Sequence, residues 1–184
     1  MDTVSMSIIA LAATDIVYVV GGAMLITVGG VNMNIGKKNE PRDLGIVFIS
    51  GAIMLLIGVL FNVMAGAALN AAATSVFDAI LWMIGIAATI GRSNLFAMNH
   101  VLLYSGIYFL IVTVLAGLTG QILLAFALVF LALQVITAAL AGYRMSARLH
   151  WTSGLLAIID GALFLVLSVV VALGIPPPLG IIPP

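Results

Sequence analysis

Three carboxylates interrupt a chain that is otherwise almost wholly apolar. Asp160 lies nine residues into the last apolar stretch, about 13 Å along a helix at 1.5 Å per residue, near the middle of a bilayer. Ionisable groups at that depth are costly, and they mark a solute pathway or a specific pairing. Asp160 therefore reads either as a pore-lining carboxylate that orients a solute, or as a clamp on Gln134, a Tyr or a backbone amide. On the same arithmetic Asp15 lies about 10 Å below the opposite surface. It lines an outer vestibule or, following Thr14, caps a helix that starts later. Ser75-x-x-Asp78 has the spacing of a capping box, so Asp78 is expected at a helix start, where an acid satisfies free amides and the dipole.

Neutral groups add hydrogen-bonding capacity. Asn62, Gln134, Thr113 and Thr137 fall inside apolar stretches, where helix–helix hydrogen bonding is their ordinary role. Trp82, Tyr108, Phe77, Phe126, Phe130 and Phe164 are core or lipid-facing residues, or else a constriction that strips water from a small uncharged solute. The candidate solute-facing set is Asp160, Asp15, Gln134, Asn62, Trp82 and Tyr108. His100 and His150 have no acidic partner at ligand spacing, so no metal site is expected. The chain has no Cys, which excludes disulfides and thiolate chemistry. It has no G-x-S-x-G, no H-E-x-x-H and no phosphate-binding loop, so neither an enzyme nor a cofactor is expected. No Lys or Arg lies inside a stretch to attract an anion, which favours a neutral or cationic solute.

The elements that must position these residues follow from composition. The chain is 64% hydrophobic and 7% charged, with mean hydropathy +1.35 and net charge zero. Soluble domains carry about 25% charged residues, so this chain cannot cover a water-facing surface. Nor does it have the basic clusters of a nucleic-acid binder. A spanning helix needs about 20 apolar residues. Six stretches qualify, expected at 8–31, 44–64, 76–90, 95–118, 121–141 and 152–173; the third is short, so either it tilts little or part of 67–73 extends it. No alternating ten-residue segments suggest a barrel. The expectation is an all-α protein, a single six-helix transmembrane domain over 1–184 with short loops.

The charges orient it. Lys37, Lys38 and Arg42 follow the first stretch, Arg92 the third, and Arg144 and Arg148 the fifth. Cytoplasmic loops collect Lys and Arg, so these three connections are expected inside and both termini outside. No basic region precedes the first stretch, which is expected to stay as the insertion signal. Tyr143 to Trp151 is expected as an inner loop with aromatic and basic anchors. The Pro-rich tail Gly174–Pro184 is expected as an extended end.

Trp151-Thr152-Ser153-Gly154-Leu155-Leu156-Ala157-Ile158-Ile159-Asp160-Gly161 resembles the start of the last helix in the AmiS/UreI family of amide and urea channels. There an aromatic precedes "LAIIEG", and Asp160 stands where the family has Glu. Val17 to Gly22, Phe48 to Ala52 and Tyr104-Ser105 are similar to family segments in other helices. The family's aromatic-rich third-helix motif is missing, with Leu81-Trp82-Met83-Ile84-Gly85 in its place, as is its Trp-rich fifth helix. The acetate/succinate permeases, of similar size, carry an "NPAPLGL" motif that this chain lacks, and HdeD-like proteins share glycine-rich helix starts such as Ser153-Gly154-Leu155. The AmiS/UreI resemblance implies a passive channel for urea, a short amide or an ammonia-like solute, in the cell membrane and assembled as a closed homo-oligomeric ring. Beside it stand a non-catalytic subunit of a larger membrane complex and a proton-coupled permease relaying through Asp160 and Asp15. A pore should place polar residues on one face of several helices. A scaffold should bury Asp15 and Asp160 in contacts and leave no continuous path.

Overall fold

The computed structural model describes residues 3–35, 40–92 and 96–174. Lys37, Lys38, the Ser93-Asn94 turn and the Pro-rich segment from Ile175 lie outside the described residues. The chain folds into six α-helices: α1 Thr3–Asn32, α2 Pro41–Met64, α3 Ala68–Thr89, α4 Phe96–Leu118, α5 Ile122–Arg144 and α6 Ala147–Ala172. All six are long and apolar enough to cross a membrane. Lipid offers no partner for free backbone amides, so the closed hydrogen bonding of helices is the form such a sequence must take. The outside of the bundle is apolar as well: Ile53 and Leu60 of α2, Ile111 and Val114 of α4, and Val166 and Val169 of α6 are exposed. By length and composition the six helices suit an integral multi-pass membrane protein.

Two boundaries differ from the expected ones. The third helix starts at Ala68, not at Val76. Gly66 takes a positive φ of 77° to turn the chain, and the Ala-rich run that follows is strongly helix-forming. Ser75 and Asp78 are therefore mid-helix. The Ser75 hydroxyl donates back to the Ala72 carbonyl, and the capping-box assignment is wrong. The expected loop from Tyr143 to Trp151 contracts to a turn at Met145 and Ser146. Met145 adopts a left-handed conformation with φ 49°, and the Ser146 hydroxyl accepts from the Leu149 amide at 3.4 Å to cap α6. Arg148, His150 and Trp151 thus lie on the first turns of α6.

The helices close into a ring in chain order. Each packs against its sequence neighbours, and α6 returns to α1. The α3–α4 contact is the thinnest, and α1–α6 the most extensive. Three rungs build the α1–α6 seam. Gly22 faces Gly161, and Gly29 faces Gly154, so closely that a Cβ on Gly22 would lie 2.8 Å from the Gly161 carbonyl oxygen. One on Gly29 would lie 2.6 Å from that of Gly154. Seven residues beyond Gly22 and Gly161 along the same lines, the Ser168 hydroxyl donates to the Asp15 carboxylate. Heptad spacing on both antiparallel helices brings small residues face to face, the arrangement that lets backbones approach closely in lipid.

Asp15 is thus not a helix cap, since α1 begins at Thr3, and one oxygen of its carboxylate is engaged by α6. The α2–α3 seam uses the same device: a Cβ on Gly45 would lie 2.7 Å from the Gly85 carbonyl oxygen. The connections α1–α2, α3–α4 and α5–α6 lie at one end of the ring. This basic end carries Arg42, Arg92, Arg144 and Arg148, the clustering expected from the alternate-loop pattern.

Candidate functional site

All six helices contribute to a cavity of about 190 Å³ in the half of the ring nearer the basic end. Its walls are mostly aliphatic and aromatic: Leu25 and Val28 from α1, Phe48 from α2, Ile80 and Leu81 from α3, Val135 from α5. Four polar side chains join them, Asn32, Asn99, Gln134 and His150, each from a different helix. Gln134 is held in place by α6. Its Nε2 donates to Ser153 Oγ at 3.4 Å, and that hydroxyl donates to the Gln134 backbone carbonyl at 3.2 Å. Asn99 packs onto Gly142, where a Cβ would come within 2.1 Å of the Asn99 Oδ1.

A second, smaller cavity of about 20 Å³ lies toward the other end, lined by Val17, Tyr18, Asn70, Thr74, Leu128 and Phe164 among others. That space suffices for about one water molecule. Phe77 borders both cavities and divides them. Tyr18 and Phe164, which line the second cavity with it, meet at a 51° tilt with ring centroids 5.5 Å apart. The axis of the ring therefore carries two cavities with an aromatic barrier of Phe77, Tyr18 and Phe164 between them.

Asp160 is fully buried on α6. Its height follows from its neighbour Gly161, which faces Gly22. On α1, Gly21 lines the outer cavity and Leu25 the inner. Asp160 is thus level with the aromatic barrier, one turn toward the basic end from Phe164. Neither of its carboxyl oxygens has a hydrogen-bond partner among the described residues. It does not clamp Gln134, whose amide is committed to Ser153. Asp78 is also buried, with Oδ1 unpartnered among the described residues. It lies on the heptad line Ala71, Asp78, Gly85, whose last member packs on α2.

Asn62 belongs to a different construction. Thr14 Oγ1 donates to Asn62 Oδ1 at 2.9 Å, the Tyr18 hydroxyl donates to Asn70 Oδ1 at 3.2 Å, and Asn70 Nδ2 donates to Thr14 Oγ1 at 3.5 Å. This network ties α1, α2 and α3 together above the outer cavity and fixes the Tyr18 ring in the barrier. Asn62 is fully buried and lines neither cavity. Trp82 and Tyr108, expected as solute-facing aromatics, are half-buried and border neither cavity. Trp82 packs on the core from one side, and Tyr108 meets Phe109 edge-on at 6.0 Å. Both lie off the axis because their helices turn other faces inward, Phe77 and Leu81 on α3 and Leu102 on α4.

Of the sequence candidates the structure brings Gln134 to the cavity and Asp160 to the height of the barrier. It places Asp15 and Asn62 in helix-to-helix bonds. Reading the sequence missed Asn32, Asn99 and His150 as cavity residues, since each sits at a helix end and passes for a loop or interface residue. Tyr18 carries no signal in the sequence beyond its place in the segment Val17 to Gly22. Among the described residues no group of three His, Cys, Asp or Glu side chains could hold a metal ion. Set against known proteins, the chain matches no family model, no curated protein and no solved structure.

Proposed function

We propose that the protein is a passive facilitator for a small neutral solute such as urea, a short amide or an ammonia-like molecule, caught here with its path shut. The observation that carries this reading is Phe77, which borders both cavities of the six-helix ring and stands where they meet. Polar side chains from four helices meet at the inner cavity, as a pore requires, while the walls stay too apolar for an ion to shed its water. The resemblance around Asp160 adds support. With the basic end in the cytoplasm of the cell, the large cavity faces inward and both termini face out. The protomer assembles with copies of itself as a ring, each copy carrying its own path.

The test is stopped-flow uptake of urea, acetamide and ammonia into proteoliposomes. Wild type should exceed empty liposomes, Phe77→Ala should exceed wild type, and Asp160→Ala should change the rate. Uptake at the empty-liposome level for every solute, in both wild type and Phe77→Ala, would end the facilitator reading.

A second reading, an accessory subunit of a larger membrane complex, draws on two observations. The path is interrupted at Phe77, and one oxygen of the Asp15 carboxylate is engaged by Ser168. It predicts no flux and co-purification with other membrane subunits.

A further inference from the structure

We infer that the inner cavity is a binding site for a neutral solute with a compact apolar body and a single hydrogen-bond-donating head. It goes beyond the facilitator reading, whose urea and ammonia lack such a body, and rests on that reading only for the solute's passage.

Size sets the first limit. An apolar cavity of about 150 Å³ takes a benzene ring, and this one measures about 190 Å³. It holds one six-membered ring or a branched alkyl group with one or two further heavy atoms. Wall chemistry sets the second. Leu25, Phe48, Phe77, Ile80, Leu81 and Val135 offer dispersion contacts to an apolar body. Urea has no such body, and against these walls most of its donors would go unpaired, which opposes its residence there.

Orientation sets the third. The polar groups gather toward the basic end, where Asn32 closes α1, Asn99 opens α4 and His150 opens α6. Gln134 is the fixed member of the set. It is 6% exposed, and its Nε2 is committed to Ser153. Its Oε1 accepts from no protein group among the described residues. An unpartnered amide oxygen at the cavity wall favours a solute that donates to it over an isostere that cannot. The body then points toward Phe77 and the head toward the basic end. The α3–α4 seam, the thinnest of the ring, is bordered by Ile80, Ile84, Met98 and Leu102 of the cavity wall.

The test uses 4-fluorobenzyl alcohol as probe, followed by fluorine NMR with the protein in lipid nanodiscs. Nanodiscs holding the Ala138→Phe variant, which fills the cavity from α5, are the reference for partition into lipid. The wild type should broaden the probe signal beyond that reference. Excess unlabelled benzyl alcohol should reverse the broadening, and urea at equal concentration should not. Gln134→Leu should weaken the alcohol about five- to tenfold, the worth of one hydrogen bond, and leave 4-fluorotoluene unchanged. Leu81→Trp fills the cavity from α3 and replaces Ala138→Phe should that variant lose its helical circular dichroism. Equal broadening in wild type and a folded cavity-filled variant, or displacement by urea, would overturn the site. Binding without uptake of urea, acetamide or ammonia would keep the site and remove the facilitator reading. Uptake without binding would remove the site alone.

Discussion

Adjacent glycines on α1 make the packing argument quantitative. A Cβ on Gly29 would lie 2.6 Å from the Gly154 carbonyl oxygen and 2.6 Å from Ile158 Cγ1. A Cβ on Gly30 would meet nothing within 4 Å. Non-bonded carbon contacts settle at about 3.5–4.0 Å, so Gly29→Ala must push the α6 backbone away by about 1 Å, and moving Ile158 alone does not relieve it. Overpacking of this kind costs about 1–3 kcal/mol. Both substitutions gain the same helix-propensity term, about 0.8–1.0 kcal/mol in favour of Ala. That common term cancels between neighbours on one helix. Gly30→Ala should therefore come out about 0.5–1 kcal/mol more stable than wild type. Gly29→Ala should fall about 1–3 kcal/mol below Gly30→Ala. The assay is reversible unfolding in mixed micelles by SDS titration, followed by circular dichroism. Equal stability for the two variants would refute the claim that glycine contact sets the α1–α6 distance.

Asp160→Leu should raise unfolding stability by about 1–3 kcal/mol, because it removes a buried polar group that has no partner, and the same SDS titration reads it; a loss of stability would mean that the carboxyl is engaged in the folded protein. Ser168→Ala leaves the Asp15 carboxylate without its donor and should cost about 1–2 kcal/mol, while Asp15→Asn should recover part of that cost in the double variant. Asn62→Leu severs α2 from Thr14 and should cost about 0.5–1.5 kcal/mol, with a larger effect on uptake than on stability if Tyr18 loosens in the barrier. Because the chain has no Cys, Met98→Cys reports on the α3–α4 seam directly. A lipid-soluble maleimide should label it faster than a membrane-impermeant one, and the reverse order would place that residue behind a water-facing opening only.

The six spans were legible because bilayer thickness imposes one length and one composition on each. Where that signal weakened, the reading slipped. The stretch from Ala67 to Ala73 is mostly small alanines with Asn70 among them, and Ser75-x-x-Asp78 imitates a cap, so the sequence leaves the start of α3 open between 67–73 and Val76. The glycines of α1 and α6 announced close packing. Their pairing needs both helices in register, and no single-helix pattern contains it. The same holds for Asp15, whose partner Ser168 is ordinary in sequence. The inner cavity draws its polar groups one to a helix, from positions that pass for ends and turns. Only closing the ring brings Asn32, Asn99, Gln134 and His150 to one wall.

The seam between the first and last helices also has a consequence in time. Ser168 follows Asp15 by 153 residues. At a synthesis rate of about 5–20 residues per second, α1 waits roughly 8–30 seconds before α6 exists. Throughout that interval its glycine face is bare and its carboxylate has no donor, while α2 can already pack on it. The nascent bundle is an open crescent, and the cavity has no wall on one side. The last helix to be made is the one that completes the ring, so truncation within α6 should leave a membrane-inserted chain that turns over rapidly, not a weakly working protein.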